Sequence, residues 1–120
     1  MGIRIDYKGQ DSLELKPAKL KNVGYKYKIW LDYMGRPLLG KGRYMLLRCI
    51  DQTGSLKKSA EACGLSYKTA YNYIKRIESR LKQKIIVTSK GGKDAGGSTT
   101  LNPFGKELLK KYEDAVVSIK

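Results

Sequence analysis

Residues 66–82 place side chains that can hydrogen-bond to nucleobase edges at a helical spacing. At about 100° per residue, a helix here turns an apolar stripe, formed by Ala70, Ile74, Ile77 and Leu81, to one side. The opposite side carries Lys68, Asn72, Lys75 and Ser79, with Thr69 and Arg76 on one shoulder and Tyr71 on the other. Lysine can donate to guanine O6 and N7, asparagine can pair with adenine, and threonine or tyrosine carbons can contact a thymine methyl group. The alternative is an ordinary amphipathic surface helix.

A glycine-rich segment follows this helix. Ile85, Ile86 and Val87 form a β-branched run that begins a strand. Residues 88–100 then contain four glycines, with Lys90 and Lys93 among them, and the chain returns in a second strand. A glycine-rich loop that carries lysines can approach a phosphate ridge or a minor groove of DNA. The alternative is a hairpin tip that is merely flexible.

A short helix is predicted immediately before the polar helix. Ser55 is its expected N-cap, and it runs over 56–63 until Gly64 ends it. Ser66 then caps the longer helix, while Ala60 is small enough for the two helices to cross closely. This spacing is typical of a helix-turn-helix, which holds its second helix in a major groove.

Further elements are expected on both sides of this unit. Alternating apolar residues predict a strand over 25–33, and residues 34–37 supply a turn before a short strand at Leu38 and Leu39. A first helix follows and stops at Gly54. Asn102 and Pro103 predict the start of a last helix. The fold class is therefore α+β, a winged helix-turn-helix with an N-terminal β-hairpin and a C-terminal helix.

The charge of the 120-residue chain is positive and unevenly distributed. The 25 Lys and Arg against 11 Asp and Glu give a formal net charge of +14. Residues 1–44 and 66–98 each contribute +6, and the two remaining segments contribute +1 each. This asymmetry favours a polyanionic partner, although a lysine-rich surface is the alternative.

Several functional classes are disfavoured by the composition. The sequence has no histidine and no Cys-x-x-Cys pair, and its acidic residues are scattered, so we expect neither an enzyme, nor a metal site, nor a cofactor. No apolar run approaches a membrane span of about 18 residues, and no secretory leader is visible. Cys49 and Cys63 are expected to be small buried hydrophobes in a reducing cytoplasm.

Residues 42–112 resemble the N-terminal DNA-binding domain of the molybdate-responsive ModE regulators, which is itself similar to the LysR-type winged helix-turn-helix. The resemblance rests on GRYMLLRCIDQTGSLKKSAEACGLSYKTAY and GGKDAGGSTTLNPFGKELL. It implies that Ser66, Tyr67, Lys68, Thr69 and Tyr71 begin the recognition helix. The strand before the first helix is similar to small single-domain archaeal members. Ser59 and Ala60 stand where the family has an Ala-Ala pair, and no molybdate site is expected because the effector domains are absent.

These observations define the expected organisation and function. Residues 1–23 form an extension of uncertain order, residues 24–102 the DNA-binding domain, and residues 103–120 a helix that mediates homodimerisation or packs on its own domain. The expected function is sequence-specific transcription regulation on double-stranded DNA. The alternatives are a nucleoid-associated architectural protein and an RNA-binding module that stacks bases on strand tyrosines. Candidate DNA contacts are Ser55, Ser66, Tyr67, Lys68, Thr69, Tyr71, Asn72, Lys75, Arg76, Lys90 and Lys93, and candidate dimer contacts are Leu108, Tyr112, Ala115 and Ile119.

Overall fold

The computed structural model describes residues 16–89 and 97–119 of the chain. It contains helices and two antiparallel two-stranded sheets, which confirms the α+β class. In chain order the elements are a 3₁₀ helix Leu20–Asn22, β1 Leu31–Tyr33, β2 Arg36–Leu39, α1 Lys41–Thr53, α2 Leu56–Ala62, α3 Tyr67–Leu81, β3 Ile86–Ser89, β4 Ser98–Leu101 and α4 Pro103–Ile119. None of the helices in the described ranges has the length and apolarity needed to cross a bilayer.

The first hairpin is shorter than the alternation of residues 25–33 predicts. Strand β1 has only three residues, because β2 offers only four and Leu31 already pairs with Leu39, the last of them. The chain reverses at Met34 and Gly35, whose φ angles of 52° and 80° are those of a two-residue hairpin turn. Pro37 therefore lies in β2 and not in the turn. The tyrosine-bearing strand that motivated the RNA alternative is not formed at Tyr25 and Tyr27.

Local signals in the sequence fix the ends of the three central helices. Helix α1 ends at Gly54, which adopts the left-handed conformation with φ 67°. Ser55 and Ser66 both have extended backbones, and their side chains accept hydrogen bonds from backbone N–H groups in the first turns of α2 and α3. Residues 63–66 alone connect α2 to α3, so the two helices are held close together.

The core lies around α1 and gathers apolar residues from all four α-helices and from both hairpins. Ala60, the small residue of α2 expected at the helix crossing, is buried. The fully or nearly fully buried hydrophobic residues are Leu38, Leu39, Leu46, Leu47, Ile50, Leu56, Ala60, Ala70, Ile74, Ile77, Ile85, Ile86, Leu101, Leu108, Leu109 and Tyr112. Burial of one continuous cluster makes the two hairpins and the helices a single packed unit.

Asn102 joins the second hairpin to α4. Its side-chain oxygen accepts a hydrogen bond from the N–H of Gly105 at 2.7 Å, and its amide donates to the carbonyl of Lys84 at 2.8 Å. Its backbone N–H donates to the carbonyl of Ile85 at 2.9 Å. A Cβ at Gly105 would lie 2.3 Å from that same carbonyl oxygen, so the close approach requires glycine. The predicted Asn-Pro helix start is confirmed.

Two regions of the sequence analysis lie outside the described residues. Most of the 1–23 extension falls in residues 1–15, and the tip of the glycine-rich hairpin falls in residues 90–96. The strands that flank this tip are described, and they form the hairpin that the sequence predicted, with Ile86 paired to Leu101.

Candidate nucleic-acid interface

Helix α3 buries one side and exposes the other. Ala70 and Ile74 are fully buried, and Ile77 is nearly so. Lys68 and Asn72 are exposed on the opposite side, one helical turn apart. The larger outward face, which we define as Lys68, Asn72, Lys75, Arg76 and Ser79, is exposed or half-buried throughout. The helical spacing therefore predicted correctly which side of α3 is available to a partner.

The first turn of α3 is ordered by its own side chains. The Ser66 hydroxyl accepts from the N–H of Thr69 at 3.1 Å and donates to its hydroxyl at 2.9 Å. The exposed rings of Tyr67 and Tyr71 are stacked, with centroids 6.4 Å apart. These contacts pre-organise the helix end that stands beside Lys68.

Lys75 is held in place by its neighbours. Its ammonium lies 3.3 Å from the Glu78 carboxylate and 5.3 Å from the centre of the Tyr71 ring. Partial burial is the largest single influence and disfavours the charged ammonium, but the hydrogen bond and charge of Glu78, together with Tyr71, outweigh it, so the pKa of Lys75 is raised. Lys75 is therefore less free to reorient toward a ligand than the exposed Lys68.

Glu78 connects α3 to the second hairpin, a role that sequence analysis missed. Its carboxylate is buried and accepts hydrogen bonds from the backbone N–H groups of Ile85 at 2.8 Å and Ile86 at 3.4 Å. Glu78 is the only acidic residue in segment 66–82. A lone acidic residue beside the apolar stripe was the feature of the sequence that could have indicated this role. The bond fixes the start of β3 to one flank of α3.

The first hairpin is anchored to the other flank of α3. The Arg80 guanidinium donates a hydrogen bond to the carbonyl of Pro37 in β2. The Arg43 guanidinium lies 4.7 Å from the centre of the Tyr73 ring and donates to the Leu38 carbonyl at 3.4 Å. The Arg80–Pro37 and Arg43–Tyr73 contacts join residues far apart in sequence, so periodicity alone could not reveal them. The outward face of α3 consequently lies between two hairpins.

Ser55 is half-buried at the start of α2, where it accepts from the N–H of Lys58 at 3.0 Å. Its carbonyl accepts a hydrogen bond from the buried Ser59 hydroxyl at 2.7 Å. The N–H of Thr99 in β4 bonds to the carbonyl of Gly54 at 2.9 Å, which places the second hairpin beside the α1–α2 turn. Ser55 is thus close to the base of the second hairpin, and its hydroxyl is already engaged as the N-cap of α2.

The candidate contacts in the hairpin tip, Lys90 and Lys93, lie outside the described residues.

The candidate dimer contacts on α4 differ in how exposed they are. Leu108 and Tyr112 are only 9% and 4% exposed and pack in this chain's own core. Ala115 is half-buried, and Ile119 is 49% exposed. Of these four candidates, only Ala115 and Ile119, toward the C-terminal end of α4, leave apolar surface accessible to a second molecule.

The two cysteines, expected to be small buried hydrophobes, are free and half-buried. The pKa of the Cys63 thiol is raised, chiefly by burial and secondly by the neighbouring Cys49. The thiol therefore stays protonated at neutral pH. Within residues 16–89 and 97–119, no three His, Cys, Asp or Glu side chains are grouped so that they could hold a metal ion.

The chain is similar to ModE and Mop proteins over about 60% of its length. It is 36% identical over 74 residues to the molybdenum-pterin-binding protein MopB of Rhodobacter capsulatus, covering 62% of this chain and 27% of MopB. It is 37% identical over 71 residues to the molybdenum transport protein ModE of Herbaspirillum seropedicae, covering 59% of this chain and 26% of that protein. It is 32% identical over 71 residues to the DNA-binding transcriptional dual regulator ModE of Escherichia coli, covering 59% and 27%.

The matches thus span about a quarter of the length of these relatives, and no family model matches the chain. The absence of a molybdate site remains a prediction, since relatives named for molybdenum-pterin binding are among the matches. Among solved structures, a full-length OxyR variant from Pseudomonas aeruginosa superimposes with a TM-score of 0.49 and 22% identity, covering 65% of this chain and 24% of that chain.

Proposed function

We propose that this chain is a sequence-specific transcription regulator that binds double-stranded DNA. The observation that carries the proposal is the outward face of α3, which exposes Lys68 and Asn72 near its start, while two hairpins are fixed to opposite flanks of the helix near its end. A helix presented in this way can enter a major groove about 12 Å wide, while the flanking hairpins reach toward the backbone. The similarity to a protein named as a DNA-binding transcriptional regulator supports the same function.

In this proposal α2, the connection 63–66 and α3 act as a helix-turn-helix, and β3–β4 acts as a wing. Lys68 and Asn72 read base edges, because both are exposed near the start of α3. Tyr67, Tyr71, Thr69 and Ser66 order and border that end of the helix. Lys90 and Lys93 contact phosphates from the wing and contribute affinity rather than base preference.

Lys75 and Glu78 have a positioning role in this mechanism. Glu78 holds the start of β3 against α3, and Lys75 holds the Glu78 carboxylate. The base of the wing is therefore fixed relative to α3. In this proposal, phosphate contacts from the wing set the register in which Lys68 and Asn72 meet the bases.

We further propose that the regulator is a homodimer that associates through the C-terminal end of α4. A largely apolar groove of about 680 Å³ lies between the segment 27–30, α1 and α4, and Val116 and Val117 line it. Val117 is 67% exposed and Trp30 is 52% exposed, so both offer apolar area to a second copy. A two-fold dimer would present two α3 helices about 34 Å apart, one DNA turn.

The dimer is tested by sedimentation of the unmodified protein and of a Val117→Glu variant. The unmodified protein should sediment as a dimer at micromolar concentration, and Val117→Glu should shift it to a monomer by placing a charge in an apolar interface. Lys111→Glu, on an exposed part of the same helix, is the control and should remain dimeric. A monomeric unmodified protein overturns this proposal.

The regulator proposal is tested by comparing affinity for a selected genomic site and for random duplex DNA at about 150 mM salt. Specific binding should be at least about 10³-fold tighter. Equal affinities would instead indicate the architectural class, with binding through phosphates alone. Preference for single-stranded RNA over duplex DNA in competition would indicate the RNA-binding alternative.

A further inference from the structure

A cleft lined by cations lies on the flank of α3 that carries the first hairpin. Its volume is about 360 Å³, and it is lined by Tyr33, Met34, Arg36, Arg80 and Lys82. Three of these five residues are cationic and none is acidic. We propose that this cleft binds a DNA backbone phosphate, so that the β1–β2 hairpin acts as a second phosphate-contacting arm. This inference rests on the proposed function and adds a contact to it.

The cleft is held together by contacts that do not depend on DNA. Arg80 donates to the carbonyl of Pro37 and so fixes the hairpin to the end of α3. The turn at Met34 and Gly35 has positive φ at both residues, which directs Met34 outward with 83% of its surface exposed. Lys82 follows α3 in the left-handed conformation, with φ 52°. Arg36 and Lys82 thereby converge from two different elements on one concavity.

The local electrostatics favour an anion in this region. Burial of the Arg43 guanidinium, followed by the positive charge of nearby Arg76 and, to a lesser extent, Arg80, lowers the pKa of Arg43. Arg80, which lines the cleft, is thus one of three arginines on this flank that lie close enough to repel one another. A phosphate oxygen beside Arg80 would offset part of that repulsion and accept charge-assisted hydrogen bonds.

The position of the cleft along α3 fits a DNA phosphate. Arg80 follows Lys68 by twelve residues, which is about 18 Å along a helix with a 1.5 Å rise. The major groove is about 12 Å wide, so when α3 enters it by the N-terminal turns that carry Lys68, Arg80 lies outside the groove, at the level of the sugar-phosphate backbone. The wing and the first hairpin then contact the DNA backbone on opposite flanks of α3. This contact would also give Arg36, one of the positive charges before residue 45, a role in binding phosphate.

Removal of one cation from the cleft tests the inference. Arg36 is exposed in β2, so Arg36→Ala removes a charge without opening the core. For Arg36→Ala, the slope of log affinity against log salt concentration should become shallower by about 0.9, the amount expected for one lost phosphate contact. Between about 50 and 200 mM salt, the factor by which affinity falls should therefore be about 3.5 times smaller for Arg36→Ala than for the unmodified protein. Base preference should not change.

Matched variants separate the possible outcomes. Arg36→Lys should restore most of the slope, and Lys82→Asn should reproduce the loss while its side chain tolerates the left-handed backbone. Lys111→Ala on α4 removes the same charge far from the cleft and should leave the slope unchanged. Thermal unfolding of each variant checks that the fold is retained.

The inference and the proposed function fail in distinguishable ways. If the unmodified protein does not bind duplex DNA, the proposed function itself is wrong. If it binds DNA and Arg36→Ala has the same slope as Lys111→Ala, only the cleft inference is overturned. A changed base preference in Arg36→Ala would also overturn it, because the contact would then be to a base and not to a phosphate.

Discussion

Replacing Glu78 by alanine should destabilise the protein by far more than a surface substitution would. The fully buried Ile85 N–H would lose its 2.8 Å bond to the carboxylate, and an unsatisfied buried donor costs about 1–3 kcal/mol. The longer 3.4 Å contact from Ile86 and the lost packing add roughly 1 kcal/mol. The ion pair with Lys75 adds little, because the lysine side chain is 39% exposed.

The expected total for Glu78→Ala is about 2–4 kcal/mol. At roughly 4 °C per kcal/mol for a domain of this size, the melting temperature should fall by about 8–16 °C. Circular dichroism during heating measures this change. Glu78→Gln keeps an acceptor for Ile85 and should lose about half as much.

Glu107→Ala is the matched control for this series, because Glu107 is exposed on α4. It should change stability by less than about 0.5 kcal/mol. A melting temperature of Glu78→Ala within about 2 °C of this control would refute the reasoning, since the buried carboxylate would then not support the second hairpin.

Other predictions concern the hairpin base and its tip. Gly105→Ala should destabilise the protein by about 1–3 kcal/mol in urea unfolding, because its Cβ would meet the Ile85 carbonyl oxygen at 2.3 Å; unchanged stability would contradict that close approach. Lys90→Ala and Lys93→Ala should weaken binding to all duplex sequences alike and make the salt dependence shallower in a titration, whereas a sequence-dependent loss would contradict a phosphate role.

Local signals predicted the helices well because each helix end depends on a few neighbouring residues. Ser55, Ser66 and Asn102 cap the helices that they were expected to cap, and Gly54 ends α1 in the left-handed conformation. The buried stripe of α3 follows from the spacing of its apolar residues. The side of α3 available to a partner could therefore be predicted from the amino-acid sequence alone.

Long-range contacts could not be predicted in the same way. The alternation from Tyr25 predicted a long strand, but a strand needs a partner and β2 has only four residues. The Ile29 carbonyl instead accepts a hydrogen bond from the hydroxyl of Tyr112 at 3.0 Å, 83 residues away. The bond between Arg80 and Pro37 likewise depends on tertiary packing. Tertiary packing therefore decides which hairpin flanks which side of α3, and local sequence patterns do not encode it.

Selection of binding sites from randomised duplex DNA tests the base-reading role of α3 most directly. The experiment compares the motif obtained with the unmodified protein, with Asn72→Ala and with Lys57→Ala, which removes an exposed charge on α2. Asn72→Ala should lose base preference at a defined position of the motif, with a cost of about 1–3 kcal/mol at the preferred site, and Lys57→Ala should retain the motif. An identical motif from Asn72→Ala and the unmodified protein, or no motif from the unmodified protein, would contradict base reading by α3.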